Sequence, residues 1–363
     1  MRIGIDCFKL IKGQGKSIGI YNVAKIIVQE MAKNTKDHEI IIFGNHWNRK
    51  DFDMPTIQFI TVSINAKDKK KCIYWELIGV NKYSNSYHLD TILFPRGYMP
   101  LFKPVRSVIV VHDLIPFYYH RYYAKTFNKL ENFYIMIRLK GSIKRADEII
   151  TISDYSRMEI YKLMPELKTN VHMIWNGVQT FQELDKINVT RKYILGITSE
   201  LPHKNAIGMI KSYLIFCKKY GPILDLVLVG VESIEEFAVI VPLDIRQYIR
   251  CEKFLKDEEY MTLFKNAHML LFLSIIEGFG LPLIEAMQLE VPVIVSNCAC
   301  LPEIMGDAGI LVDVDDYENI ANQMYILSTD NKRREYLIKK GIERVKLFKG
   351  NKQVEEYYNI IEG

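Results

Sequence analysis

The sequence predicts an α/β protein built from two Rossmann-like domains, each a doubly wound parallel sheet covered by helices. Three observations support this fold class. Short apolar segments alternate with segments of helical periodicity, and the alternation occurs twice along the chain. A polar stretch separates the two series, and 363 residues are enough for two domains with their own cores. We therefore expect two domains that face each other across a cleft.

The first half of the chain contains six segments typical of buried strands, because they are short and rich in β-branched and aromatic residues. Helical patterns lie between several of them, at 17–33, 124–145 and 154–163. Strands that alternate with helices favour a parallel arrangement, since parallel neighbours need a crossover connection. The predicted strands are 2–8, 39–44, 56–62, 91–94, 107–111 and 148–153.

The second half repeats the pattern after a polar, weakly periodic stretch. We place the N-terminal domain at 1–176, the linker at 177–191 and the C-terminal domain at 192–363. The last helix is the one segment that could cross back to the N-terminal domain. The strands predicted for the C-terminal domain are 193–198, 224–230, 249–254, 267–273, 291–296 and 309–314.

The composition is that of a soluble globular protein, with 49% apolar and 25% charged residues. No apolar run approaches the roughly 18 residues of a membrane-spanning helix. The start, MRIGIDCFKL, has no extended apolar region and predicts a strand rather than a signal peptide. The six cysteines lack CxxC spacing. We therefore expect reduced thiols in a cytoplasmic protein, without a zinc site or a disulfide framework.

The charge is unevenly distributed. Residues 1–176 carry 27 Lys and Arg against 16 Asp and Glu, a balance of +11, whereas the rest of the chain has a balance of −6. The segment 116–145 also interleaves aromatic residues with basic ones. A membrane surface, RNA and a plain solvated helix remain open for this segment, and an anionic membrane is the preferred interpretation. The basic residues expected on that surface are Arg138, Lys140, Lys144 and Arg145.

Ligands of doubly wound sheets bind beyond the carboxyl ends of the strands, where loops lead into helices. The predicted strand ends alone therefore indicate which loops bind a ligand. The predicted functional loops are 8–20, 95–100, 112–120, 198–205, 230–234, 274–281 and 297–303.

The stretch SIIEGFGLPLIEAM (274–287) places two acids, Glu277 and Glu285, eight positions apart around a Gly-Phe-Gly turn. Glycines at 278 and 280 let the backbone approach a ligand, and the start of the following helix presents free N–H groups to an anion. A carboxylate is a natural acceptor for the hydroxyl groups of a sugar or a ribose. The alternative is a helix capped by one acid with the second acid exposed, and the pattern alone does not decide between them.

The same stretch resembles the Glu-x7-Glu signature of retaining glycosyltransferases of family 4, which have the GT-B fold of two Rossmann-like domains. Further landmarks of the family occur in order, and the resemblance covers nearly the whole chain. They are VIVVHDLIPF (108–117), TISDYSR (151–157), WNGV (175–178), YILGITSELPHKNAIGMIKSYLIF (193–216) and GILVDVDDYENIA (309–321).

The resemblance implies a retaining, metal-independent glycosyltransferase of the hexosyltransferase type, active in bacterial polysaccharide assembly. The C-terminal domain would bind a UDP-, GDP- or dTDP-linked sugar as substrate, and no cofactor is expected. The N-terminal domain would bind a glycan or lipid-linked acceptor. Such a protein would be cytoplasmic and peripheral on the inner face of the membrane. Its oligomeric state is left open.

The resemblance also assigns roles to residues. Glu277 would hold hydroxyls of the donor sugar, Glu285 the ribose, and Lys204 the diphosphate. The implied catalytic residues are His112, Lys204 and Glu277, with His112 as a contact to the donor sugar rather than a base. In the front-face mechanism of these enzymes, the leaving phosphate takes the acceptor's proton. The implied donor-binding residues are Thr198, His203, Lys204, Glu277, Gly278, Phe279, Gly280, Leu281 and Glu285.

Both candidate phosphate-binding segments depart from the common motifs. Many relatives have Arg immediately before the Lys or six positions before it, where this chain has His203 and Thr198. The diphosphate would then depend more on Lys204, backbone amides and helix dipoles. The loop KGQGKSIGIY (12–21) is not GxGxxG, but amides around Gly15 and Gly19 suit an acceptor or a phosphate.

Two Asp-x-Asp strings could suggest a metal site. Asp51 and Asp53 lie in a polar loop, and the string Asp313-Val-Asp315 is better explained as the cap of a helix. We therefore expect no catalytic metal.

Three other functions compete with glycosyl transfer. A non-catalytic partner subunit with the same fold is favoured by His203 in place of Arg and opposed by the retained Lys204, Glu277 and Glu285. A nicotinamide-dependent oxidoreductase lacks its glycine fingerprint. The basic half also permits RNA binding, although no nucleic acid is expected as a partner.

Overall fold

The structure is a computed structural model that describes residues 1–12, 18–126, 128–178 and 191–363. The chain divides into two compact units. The first comprises Met1–Gln179 together with Phe348–Gly363, and the second comprises Thr180–Leu347. Each unit is built on its own parallel sheet, which confirms the predicted α/β fold class.

The sheet of the first unit has seven strands, and all of its pairings are parallel. Their spatial order is β3-β2-β1-β4-β5-β6-β7, so the order reverses between β1 and β4. The strands are β1 (Arg2–Asp6), β2 (Glu39–Gly44), β3 (Gln58–Thr61), β4 (Thr91–Phe94), β5 (Arg106–Val111), β6 (Glu148–Thr151) and β7 (Val171–Met173). Six of them confirm predicted strands, and β7 is additional.

The helices of the first unit lie between these strands along the chain. A π-helical turn, Trp75–Gly79, directly follows a helix that ends at Tyr74 and precedes one that begins at Val80. The predicted helix at 124–145 is wrong at its start. The side chain of Asn128 accepts hydrogen bonds from the amides of Leu130 and Glu131, so a new helix begins after it. The helices are α1 (Ile18–Lys33), α2 (Arg49–Phe52), α3 (Lys69–Tyr74), α4 (Val80–Ser86), α5 (Ile115–Tyr122), α6 (Lys129–Arg145) and α7 (Asp154–Leu163).

The second sheet has six parallel strands in the order β10-β9-β8-β11-β12-β13, so its order reverses between β8 and β11. All six strands confirm predicted ones. They are β8 (Tyr193–Ile197), β9 (Asp225–Val229), β10 (Ile249–Glu252), β11 (Met269–Phe272), β12 (Val293–Ser296) and β13 (Ile310–Val312).

Most helices of the second unit lie between its strands along the chain, as expected for parallel sheets. Two short 3₁₀ turns, Pro202–Lys204 and Ile234–Phe237, occur in loops after strands. The helices are α8 (Ala206–Tyr220), α9 (Leu243–Arg246), α10 (Asp257–Lys265), α11 (Leu281–Gln288), α12 (Leu301–Met305), α13 (Tyr317–Thr329) and α14 (Asn331–Val345).

The last helix, α15 (Gly350–Glu362), belongs to the first unit. It packs against α1 and buries Tyr357, Tyr358 and Ile361. The Tyr358 hydroxyl donates to the carbonyl of Asn34 at 3.0 Å. The second unit is therefore inserted between two parts of the first.

Both cores consist of side chains from the strands and the helix faces that cover them. Strand residues such as Ile42, Leu93, Leu195 and Leu271 are fully buried, as expected for parallel strands covered on both faces. Among the described residues, no helix combines the length and the apolar character needed to cross a bilayer. All six cysteines are free thiols.

Candidate functional site

Most of the predicted donor-binding residues lie on two loops at one edge of the second sheet. One loop follows β8 and contains Thr198, His203 and Lys204, and the other follows β11 and contains Glu277 through Gly280. Strands β8 and β11 are neighbours at the point where the strand order reverses. In open parallel sheets this is the position where loops diverge and ligands bind.

An ion pair joins the two loops. Nζ of Lys204 lies 2.6 Å from Oε1 of Glu277, and both side chains are mostly buried. The ammonium also lies 5.8 Å from the centre of the Phe272 ring. The pair therefore places one cation and one carboxylate together at the edge of the sheet, where they can meet an anion and a hydroxyl group.

The backbone of Lys204 is fixed from both sides. Its carbonyl accepts a hydrogen bond from Oγ1 of Thr198 at 3.1 Å. The next residue, Asn205, has a left-handed conformation with φ of +55°, and its side chain accepts from the amide of Gly208 to start α8. Thr198 is thus a buried support for Lys204 and contributes no charge.

His203 is buried and connects the two loops, because its carbonyl accepts the amide of Ile275 at 2.7 Å. Burial lowers the pKa of its imidazole to about 4, and the neighbouring Lys204 acts in the same direction. The side chain is therefore neutral at pH 7. It cannot replace the positive charge of an arginine at this position.

The turn before α11 depends on Gly280. Its φ is +95°, and a Cβ at this position would lie 2.7 Å from Cδ2 of Leu301. Gly278 and Phe279 are both buried, so the ring of Phe279 packs inside the fold and does not face a ligand. Leu281 begins α11 and is partly exposed.

Glu285 lies in α11 and has a different partner from Glu277. Its Oε2 accepts a hydrogen bond from the hydroxyl of Tyr260, in α10, at 2.9 Å. Burial raises the pKa of Glu285 to about 7, although the bond from Tyr260 opposes that shift. The carboxyl group therefore changes charge near neutral pH.

In the first unit, His112 follows β5 and is buried. Its Nε2 lies 2.7 Å from the carbonyl of Pro95. A carbonyl only accepts, so Nε2 carries the proton and Nδ1 is an acceptor. Burial lowers the pKa of His112 to about 4, so the ring is neutral at pH 7. It can accept a hydrogen bond from a hydroxyl group.

The remaining predicted positions do not join these clusters. Gly15 lies outside the described residues, and Gly19 lies in the first turn of α1 and is exposed. Asp51 accepts from Tyr21 and pairs with Lys25 at 2.7 Å, which gives it a structural role. Among the described residues, no three or more potential metal ligands come together.

The predicted cap at Asp313–Asp315 is wrong by a few residues. Asp313 accepts from the amide of Asp315 within the turn, whereas the cap of α13 is Asp316. The side chain of Asp316 accepts from the amide of Asn319 at 3.0 Å.

Tyr260, the partner of Glu285, is not among the residues predicted from the sequence. It occurs in an ordinary amphipathic helix, α10, and no local pattern marks it.

Residues 179–344 match the family model described as "Glycosyl transferases group 1". The chain is similar to the O-antigen chain mannosyltransferase B of Escherichia coli, with 28% identity over 268 residues, covering 70% of this chain and 69% of that protein. It is also similar to the O-antigen chain mannosyltransferase RfbU of Salmonella typhimurium, with 26% identity over 262 residues and 70% of each chain covered.

Solved structures also match over nearly the full length. WaaG, a glycosyltransferase involved in lipopolysaccharide biosynthesis, has a TM-score of 0.73 and 15% identity, covering 99% of this chain and 100% of that one. Sucrose-phosphate synthase from Thermosynechococcus elongatus has a TM-score of 0.74 and 16% identity, covering 99% and 98%. At these identities the likeness establishes the fold alone.

Proposed function

We propose that this chain, which has the two-sheet GT-B fold, is a glycosyltransferase of the group 1 type and transfers a sugar from a nucleotide-linked donor to a glycan or lipid-linked acceptor during surface polysaccharide assembly. The main support is the pairing of Lys204 with Glu277 at the reversal point of the second sheet. A nucleotide sugar contains an anionic diphosphate beside a polyol. The ammonium of Lys204 can bind the diphosphate, and the carboxylate of Glu277 can accept hydrogen bonds from the sugar hydroxyls.

In the proposed reaction, the ammonium of Lys204 neutralises the diphosphate as its bond to the anomeric carbon breaks. Charge stabilisation of a leaving group by a preorganised cation is among the largest contributions to catalysis. Glu277 accepts hydroxyl hydrogens of the sugar and sits beside the carbon where positive charge develops. The leaving phosphate oxygen takes the acceptor's proton, so the reaction retains the anomeric configuration.

Two further residues complete the proposal. Glu285, oriented by Tyr260, accepts the ribose hydroxyls through its ionised carboxylate. His112 presents Nδ1 as a neutral acceptor for a sugar hydroxyl, because its Nε2–H is engaged by Pro95. The amides at Gly278, Phe279 and Gly280 are proposed to line the approach of the phosphates.

The names of the O-antigen relatives support mannose as the transferred sugar. We expect the purified protein to hydrolyse GDP-mannose slowly and to be stabilised by it more than by UDP-glucose or dTDP-glucose. A ligand at 100 times its dissociation constant adds about 2.7 kcal/mol to the free energy of unfolding. A thermal melt with each nucleotide sugar measures this. If no nucleotide sugar is hydrolysed or stabilises the protein, the proposed function is wrong.

Transfer should proceed without a metal and with retention. Activity in excess EDTA should match that in buffer, because the proposed charge stabilisation comes from Lys204. Nuclear magnetic resonance of the first-formed product should show the same anomeric configuration as the donor. An inverted product, or activity that returns only with Mg²⁺, would reject this mechanism.

The alternative of a non-catalytic partner subunit rests on His203. A neutral histidine stands where many members of the resembled family have arginine, which reduces the charge available to a diphosphate. A subunit of this kind would be stabilised by a nucleotide sugar without hydrolysing it. The two assays in the donor screen therefore distinguish the enzyme from the subunit.

We also propose that the protein works at the inner face of a membrane through α6. The exposed side of this helix carries Leu130, Phe133 and Ile137, which are 80%, 54% and 55% exposed, and then Lys140 and Lys144. We call these five residues the α6 face. They recur at intervals of three or four and so share one side of the helix. Apolar side chains beside lysines suit an anionic bilayer surface.

The basic surface differs from the one predicted from sequence. Arg138 is buried and donates to the carbonyls of Glu76 and Met99. Arg145 is partly buried and donates to the carbonyl of Pro100. Both arginines hold the fold of the first unit, so Lys140 and Lys144 are the members of the predicted set that remain exposed.

The protein should sediment with phosphatidylglycerol vesicles at low salt and be released as salt rises, because screening weakens the lysine contacts. Replacing Leu130, Phe133 and Ile137 with serine should abolish sedimentation, and Lys140→Ser with Lys144→Ser should remove its dependence on anionic lipid. The control is a variant with serine at Leu243 and Phe254, apolar residues exposed on the second unit. If the control and the α6 variants sediment alike, the α6 face is not the docking surface.

A further inference from the structure

The carboxyl edge of the first sheet carries a group of charged side chains to which the mechanism above gives no role. Asp6 ends β1, Lys9 follows it, and Arg96 follows β4. Strands β1 and β4 are the pair at which the strand order reverses. By the same rule that locates ligands in the second unit, this is the expected ligand-binding edge of the first.

Glu76 brings the cations together. Its Oε1 accepts from Nζ of Lys9 at 2.6 Å and from Nη1 of Arg96 at 3.1 Å. Glu76 is only 8% exposed, whereas Lys9 and Arg96 are each 24% exposed. The carboxylate is therefore held inside, and the cations reach toward solvent. An ammonium has three donors and a guanidinium five, so each has N–H groups beyond the one that meets Glu76.

Hydrogen bonds from the surrounding structure anchor this group. Glu76 lies in the π-helical turn Trp75–Gly79. Such turns are rare in proteins overall, but those that occur are often found at functional sites. The indole of Trp75 donates to Oδ1 of Asp6 at 3.0 Å. The buried guanidinium of Arg138 donates to the carbonyls of Glu76 and Met99, at 3.1 and 2.8 Å. Two separate anchors thus fix the turn that carries Glu76.

The charges of the group balance. Burial raises the pKa of Asp6 to about 6, so its carboxylate is ionised at pH 7.5. The group then contains two cations, Lys9 and Arg96, and two carboxylates, Asp6 and Glu76. The nearby Arg138 and Asp113 also have opposite charges. A group without net charge does not favour a phosphate over a neutral ligand. It does offer donors and acceptors at short spacing.

We propose that Lys9, Glu76 and Arg96 bind the hydroxyl groups of a neutral sugar residue in the acceptor. Adjacent sugar hydroxyls both accept and donate, so they can accept from Lys9 and Arg96 and donate to the carboxylate of Glu76. Ligand binding accounts for the placement of these charges at the carboxyl edge of the sheet, where the strand order reverses. This inference rests on the proposed glycosyl transfer.

The test uses the full chain with GDP or UDP present and four methyl glycosides as probes, those of mannose, glucose, galactose and N-acetylglucosamine. Saturation-transfer NMR should detect binding of at least one glycoside. Lys9→Met and Glu76→Gln should each weaken that binding by about tenfold or more. The matched control is Lys25→Met, because Lys25 forms a mostly buried ion pair with Asp51 at 2.7 Å in the same unit. It should bind the glycoside as the wild type does.

The inference is wrong if no glycoside binds the wild type, or if Lys9→Met and Lys25→Met bind equally well. Binding of inorganic phosphate that requires Lys9 would overturn the choice of a neutral ligand. If Glu76→Gln does not fold in a melting scan, Lys9→Met decides. Hydrolysis of a nucleotide sugar by the wild type is measured separately, so a failure of the proposed function is distinguished from a failure of this site.

Discussion

Replacement of Lys204 by methionine should lower kcat by about 10²–10³-fold, the loss typical when one preorganised electrostatic group is removed from a transition state. Methionine keeps much of the length and volume of the side chain, so the packing against Phe272 should survive. The substitution also leaves the carboxylate of Glu277 without the cation that lies 2.6 Å away. Steady-state kinetics with the best donor, together with a melting scan, measures both effects.

A variant in which Lys204 and Glu277 exchange charges separates the catalytic role of Lys204 from the structural role of the ion pair. Lys204→Glu combined with Glu277→Lys keeps opposite charges on the two loops but reverses which loop carries the cation. We expect it to melt closer to the wild type than Lys204→Met does and to remain inactive, because the diphosphate would then meet a carboxylate. If the swapped protein recovers activity, the pair is a structural link and Lys204 has no specific role at the leaving group.

Glu277→Gln should lower kcat by about 10²-fold with little change in KM for the donor. The amide keeps the size of the side chain but removes the charge that would oppose the positive charge developing at the anomeric carbon. Glu285→Gln should do the opposite and raise KM with kcat nearly intact, since the ribose does not change during the reaction. Hydrogen bonds to a charged group contribute roughly 1.5–3 kcal/mol, which sets the size of that rise.

The pH dependence of the donor KM tests the separate roles proposed for Glu277 and Glu285. The pKa of Glu285 is raised to about 7, so its carboxylate forms as pH rises through that value. Donor KM should therefore fall as pH increases through about 7, and Glu285→Gln should remove this dependence while Glu277→Gln keeps it. A collapse of kcat in Glu285→Gln, or a change confined to KM in Glu277→Gln, would reverse the assigned roles.

Most of the twelve predicted strands could be recognised because strands buried on both faces are continuous apolar runs, such as EIIIFG at 39–44. Strand β7 is not predicted, because the polar His172 lies between the two apolar residues of Val171–Met173. The start of α6 was missed because the hydrogen bonds of Asn128 to nearby amides override a helical pattern that continues through it.

The proximity of Lys204 and Glu277, 73 residues apart, follows from strand order alone, because parallel strands end at the same edge of a sheet. The bond between Tyr260 and Glu285 depends instead on how one helix lies against another, and no local pattern encodes that. The burial of Phe279 and Arg138 also could not be predicted from a local pattern. Their residue types suggest a ligand or a solvent contact, but tertiary packing buries both side chains.

The return of α15 to the first unit imposes an order on biosynthesis. Residues 180–347 must be translated before the helix that covers α1 exists. At about 5–20 residues per second, this takes roughly 10–30 s. During that interval the nascent first unit exposes the side of α1 that α15 later covers. Newly made chains are thus open to chaperone capture or aggregation for as long as translation of the insert lasts.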